Sequence, residues 1–154
     1  MSDSILITGG AGFLGRYLAQ FYAEKHWDVT VLDDLSCPNS TFDCQPLQHP
    51  RIRKVHGSIF DTELMQELVQ AHQYISHMAS VVGVAETIDN PLDTARNITG
   101  TIALAAMVTE DHVVIFGCLG LRGVQAQVRD LDHLVDLLRD LAIDQHGLHP
   151  CQSS

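Results

Sequence analysis

Residues 5–34 set four pieces in an order that few folds accept. An apolar, β-branched run (Ile5–Thr8) leads into a glycine cluster, a helical stretch and a second apolar run (Val29–Leu32) that ends in acid at Asp33 and Asp34. Within the cluster Gly10, Gly12 and Gly15 fit G-x-G-x-x-G, and Gly9, Gly12 and Gly15 fit the variant G-x-x-G-x-x-G. The pattern alone is weak because glycine is common. Here a strand precedes it, a helix follows it, and Asp33 stands eighteen residues beyond Gly15. That context is what a dinucleotide-binding turn requires. The early glycines permit a tight turn and a close backbone approach to a pyrophosphate, and Gly15 lets the helix pack against the strands. The N–H groups at the helix start, around Gly12, Phe13 and Leu14, are then ready donors to phosphate without any lysine. Asp33 would accept from the ribose hydroxyls and repel a 2′-phosphate, which favours NAD over NADP. The bland alternative is a glycine turn with a capping acid.

The remaining periodicity continues the alternation. Phe13, Leu14, Leu18, Phe21 and Tyr22 recur at helical spacing, predicting a helix over 13–26. A polar loop over 35–50 leads to a strand at 52–56. Asp61 caps a helix through Leu64, Leu68 and Val69, and a strand follows at 74–77. Pro91 sits in the first turn of a helix reaching about Val108, before a strand at 113–116. A glycine-rich loop over 117–123 precedes a last amphipathic helix at about 130–143. Strands alternating with helices imply right-handed parallel crossovers. The expected fold is α/β: a truncated Rossmann-like parallel sheet with helices on both faces. It forms one domain over residues 1–146, with a frayed tail over 147–154.

With 154 residues, 45% of them apolar, the chain can bury one sizeable core. A net charge of −10 opposes nucleic acid and anionic membrane as partners, and no apolar run reaches bilayer length. Four cysteines without a C-x-x-C pair, and nine histidines without H-E-x-x-H spacing, point to no metal and to reduced thiols in a cytoplasmic setting.

Several stretches together are similar to the extended short-chain dehydrogenase/reductase family, and within it to the NAD-dependent nucleotide-sugar epimerases and dehydratases. "TGGAGFLG" with "VLDDLS" carries most of the likeness. "HMAS" (His77–Ser80) resembles the family's H-x-A-A after the fourth strand. Pro91, Asn97, Gly100 and Thr101 match its proline followed by N-x-x-G-T. "QVRDLDHLVDLL" resembles its late V-R-D-x-x-H-x-x-D-L segment. The resemblance implies NAD as cofactor and a site drawn from Gly9, Gly12, Phe13, Leu14, Gly15, Asp33, Asp34, Ser58, Ile59, Ala79, Ser80 and Asn97. It also implies a contact from Arg129 to the diphosphate of a nucleotide sugar, although Arg129 beside Asp130 and Asp132 also reads as a surface ion pair. Two positions depart from the pattern. Ser58 stands where the family has an adenine-reading aspartate, and Asp34 where it has asparagine.

The family's catalysis, as the resemblance implies it, uses a tyrosine base with lysine four residues later. Tyr17, Tyr22 and Tyr74 are the tyrosines here, and they are followed at that distance by Phe21, His26 and Met78. Only about a dozen residues separate the fifth strand from Val128, where the family has a long stretch. The chain thus reads as a family member shortened in its catalytic middle and at its end, with no catalytic residue of its own. His77 reads as structural at a strand end rather than as a base, and Cys118 as packing rather than as a nucleophile. Two functions stand: the NAD-binding domain of an epimerase/dehydratase-like protein, or a catalytically silent dinucleotide module. A shortened sheet leaves an apolar edge, so a homo-oligomer is expected.

Overall fold

The structure, a computed structural model, describes residues 3–80 and 91–116. Five strands, β1 (Ser4–Thr8), β2 (Asp28–Asp33), β3 (Ile52–His56), β4 (Tyr74–His77) and β5 (Val113–Phe116), form one parallel sheet in the order β3-β2-β1-β4-β5. The chain reverses its direction of travel across the sheet after β3. The carboxyl ends of β1 and β4 therefore flank a switch point, where doubly wound sheets place their ligands. Ile5 pairs with Val29 on one side and Tyr74 on the other, which fixes the register through the centre.

Buried strand residues alternate between two helical layers. Leu6, Leu32, Ile75 and Val114 join Met65, Leu68 and Val69 of α2 (Thr62–Gln70) and Leu104 of α3 (Pro91–Met107) in one core cluster. Burying side chains of this size contributes about 1.5–3 kcal/mol each. Ile5, Ile7, Val29 and Val31 are equally buried and point the opposite way, toward α1 (Phe13–Glu24). Right-handed crossovers require this, because the β1–β2 and β3–β4 connections run in opposite directions across the sheet.

Within the described residues the expected elements form, with three corrections. First, α1 ends at Glu24 rather than His26. His26 takes a left-handed φ of 67°, its N–H bonds Ala23 O, and Trp27 N–H bonds Tyr22 O at 3.1 Å. This is a Schellman C-cap with histidine in the usual glycine position, and the Tyr22 and Trp27 rings pack 4.9 Å apart across it. Second, α1 buries Gly15, Leu18, Ala19 and Ala23, while Phe13, Leu14 and Tyr17 are exposed. Small residues beside Leu18 let the helix lie close to the sheet, while Phe13, Leu14 and Tyr17 turn outward. Third, the polar stretch after β2 is not wholly loop. Gln45–Leu47 makes a 3-10 turn against α1, and its Leu47 is fully buried. The loop expected at 117–123, the helix expected at 130–143 and the tail over 147–154 lie outside the described residues. Among the described residues no helix is long and apolar enough to cross a membrane.

Candidate dinucleotide site

The turn after β1 is shaped first by backbone packed closely against backbone. Gly9 has φ 68°, and a Cβ there would stand 2.6 Å from Ala79 N, so the turn rests directly on the chain leaving β4. Gly9 N–H donates to Leu32 O at 2.7 Å, which ties the turn to β2 as well. A Cβ on Gly15 would collide with the backbone of Gly9 and Gly10. Glycine is needed there so that α1 can start directly beneath the turn. The N-terminus of α1 is left open. Gly12 offers no capping side chain, and neither aspartate nor glutamate stands in the first turn. The amides of Phe13, Leu14 and Gly15 precede Arg16 N–H, the first to reach a helical carbonyl, that of Gly12.

Asp33 is the last residue of β2 and only 7% exposed. Its Oδ2 accepts Ala11 N–H at 3.0 Å and its Oδ1 accepts Leu35 N–H at 2.9 Å. Each oxygen keeps a second lone pair for another donor. Asp34 is exposed and its carboxylate accepts Ser36 N–H. Ser58 and Ile59 follow β3, where Ser58 Oγ accepts Phe60 N–H at 3.2 Å. Ile59 packs where a Cβ on Gly100 of α3 would be, which accounts for the glycine of N-x-x-G-T. Ala79 and Ser80 follow β4 and are partly buried. Because the sheet is parallel, all of these residues except Asn97 gather beyond one edge of it. Asn97 lies on α3, four residues before Thr101. Arg129 and Cys118 lie outside the described residues.

His77 is 1% exposed and belongs to the frame. Thr101 Oγ1 donates to Asn97 O at 2.9 Å, so it accepts from His77 Nε2 at 3.2 Å. His77 Nδ1 is then the acceptor of the Thr8 hydroxyl at 2.7 Å, and Thr8 Oγ1 receives Ala79 N–H at 3.4 Å. One neutral imidazole thus links β1, β4 and α3 beneath the turn. Burial lowers its pKa to about 4. The structural reading of His77 agrees with this geometry. Residue spacing did not reveal Thr8, Thr101 or Arg16 as parts of the frame.

The profile of the NAD dependent epimerase/dehydratase family matches residues 5–126. The chain belongs to that family. It is 35% identical over 112 residues to dTDP-glucose 4,6-dehydratase of Mycobacterium tuberculosis, covering 71% of this chain and 34% of that protein. It is 32% identical over 106 residues to UDP-glucose 4-epimerase of Pasteurella multocida, covering 66% and 31%. Among solved structures, UDP-glucose 4-epimerase from Brucella ovis in complex with NAD superposes with a TM-score of 0.66 at 28% identity, covering 75% of this chain and 35% of that one. The Thermotoga maritima UDP-glucose 4-epimerase with UDP-glucose gives 0.64 at 30% identity, covering 73% and 37%. The chain therefore spans about a third of the length of the family relatives it matches. Among the described residues no group of three or more His, Cys, Asp or Glu could hold a metal ion.

Proposed function

We propose that this chain binds NAD in the crevice beyond the carboxyl ends of β1, β2 and β4, as the dinucleotide-binding part of a nucleotide-sugar epimerase/dehydratase-like protein. The observation that carries the reading is the pairing of an uncapped α1 N-terminus with a buried Asp33 carboxylate that retains acceptor capacity. The donor set fits the cofactor. Amides at Phe13 and Leu14 suit a pyrophosphate, whereas Gly12 N–H is already given to Gly9 O at 3.2 Å; Gly12 serves by lacking a Cβ, which would lie in that approach. Asp33 suits two ribose hydroxyls. Gly9, Gly15, Asp34, Ser58, Ile59, Ala79, Ser80 and Asn97 complete the proposed surroundings, and Arg129 is the proposed contact to a nucleotide-sugar diphosphate.

NAD, when bound, supplies reversible hydride acceptance at the sugar. This chain's residues bind and orient it through backbone amides and Asp33, and His77 holds the turn in place. No tyrosine in the sequence has lysine four residues on, so we assign no proton-transferring residue and read the chain on its own as catalytically silent. A cytoplasmic setting and a homo-oligomer complete the reading. Ile98 and Ile102, both at least half exposed and one turn apart on α3, support association. The test is incubation of the chain with NAD and UDP-, GDP-, CDP- and dTDP-sugars, following cofactor binding by calorimetry and products by NMR. Binding without turnover is expected. Turnover would contradict the silent reading, and absence of binding the whole proposal.

A further inference from the structure

We propose that Arg16 is a positioning residue for the adenosine half of the cofactor, stapling the segment after β2 to the glycine loop. This rests on the binding reading above. Arg16 Nε donates to Gly12 O at 3.1 Å and its Nη2 to Asn39 O at 2.7 Å. One guanidinium therefore spans the glycine loop and a chain segment more than twenty residues away. The contact continues along that segment. Thr41 N–H donates to Ala11 O at 3.4 Å, and Ser40 Oγ lies 4.0 Å from where a Cβ on Gly12 would be.

The same segment is tied at its other end, where Asp33 holds both Ala11 N–H and Leu35 N–H. Between the two ties, residues 34–39 are all exposed, and they contain no helix or strand. Leu35 in addition takes a left-handed φ of 56°. Within it the bonds are few, Ser36 N–H to Asp34 Oδ1, Ser40 N–H to Cys37 O and His56 Nε2 to Asp34 O, so with so little burial the end ties do much to hold its conformation. The Arg16 bond is charge-assisted and shorter than the Thr41 bond, so it carries most of the tie at the Asn39 end. The adenosine ribose, held at Asp33, lies between these ties, and fixing the segment fixes that wall. The planar fork matters because it reaches two carbonyls at once. A lysine ammonium keeps the charge but does not reproduce that geometry.

The full-length chain carrying Arg16→Lys or Arg16→Met is compared with the unaltered chain in two ways. Calorimetry gives Kd for NAD and for ADP-ribose over a salt series. Chymotrypsin without cofactor, read by mass spectrometry, gives the rate of cleavage after Leu35 and Phe42. Both variants should weaken NAD and ADP-ribose by about tenfold, the weight of one charge-assisted bond. In Arg16→Lys, which keeps the charge, the salt dependence should not change, and in both variants cleavage of the segment should accelerate. Arg16→Lys keeps the aliphatic stem and helix propensity, so it carries the test if Arg16→Met does not fold. An Arg16→Lys protein that binds like the unaltered chain would overturn the proposal, since charge alone would then suffice. Unchanged cleavage in both variants would also overturn it. An unaltered chain that binds neither ligand removes the binding reading and this proposal together, an outcome distinct from the other two.

Discussion

The Oδ2 atom of Asp33 accepts the Ala11 N–H at 3.0 Å, so the acid that ends β2 is bonded into the glycine loop that ends β1. Ala11 is fully buried, and its N–H has no water to turn to if the carboxylate is removed. Replacing Asp33 by Asn leaves one oxygen for two amides, Ala11 and Leu35. Asp33→Asn should cost about 1–3 kcal/mol of stability, the penalty for one orphaned buried donor. Urea unfolding measures it, and an unchanged midpoint would show that the bond is dispensable.

Two glycines of the loop should separate fold from binding. In Gly15→Ala the new Cβ meets backbone of Gly9 and Gly10, which cannot move without opening the turn. A loss of about 1–3 kcal/mol, as for overpacking, is expected in thermal unfolding. In Gly12→Ala the closest atom is Gly9 O at 3.2 Å, a contact relieved by a small shift. That variant should melt near the unaltered temperature yet bind NAD more weakly in calorimetry.

The C-cap of α1 can be improved. His26 occupies a left-handed conformation that disfavours side chains, while every hydrogen bond of the motif comes from backbone. His26→Gly should stabilise the chain by about 0.5–1 kcal/mol, visible as a higher urea midpoint at unchanged slope. A lower midpoint would mean that the imidazole makes a contribution larger than its backbone strain.

Stability should fall in mild acid. Burial lowers His77 to about 4, and burial also lowers His72, whose Nε2 accepts the Thr30 hydroxyl while its Nδ1–H donates to Leu68 O. In the unfolded chain both titrate near 6.5. Between these values the unfolded chain binds protons that the native chain refuses. The stabilisation is therefore complete above about pH 6.5 and is lost as pH falls toward 4. The loss is on the order of a few kcal/mol for His77. Urea unfolding across this range checks it, and His77→Gln should flatten the slope.

The fold was legible where periodicity and punctuation agreed. The 52–56, 74–77 and 113–116 strands and the Asp61 cap stand where alternation and capping chemistry put them. The end of α1 was not legible, because histidine fills a position that glycine normally announces. Leu47 was hidden because a single apolar residue in a polar stretch has no period. The positions chosen for the site lie mostly beyond one sheet edge, since spacing along parallel strands encodes that edge. The frame beneath it was less readable. His77 finds Thr8 sixty-nine residues away and Thr101 twenty-four away, and Arg16 finds Asn39 across a loop. Such ties are products of tertiary folding and leave no local pattern.

In the proposed site Asp33 reads a ribose with free hydroxyls. Calorimetric titration of the same preparation with NAD and with NADP tests it most directly. A 2′-phosphate placed against the Asp33 carboxylate sets like charges at short range in a partly dehydrated site. NAD should bind at least about tenfold more tightly than NADP, with Asp33→Ser narrowing the gap. Equal affinities for the two cofactors, or tighter binding of NADP, would remove Asp33 from that role.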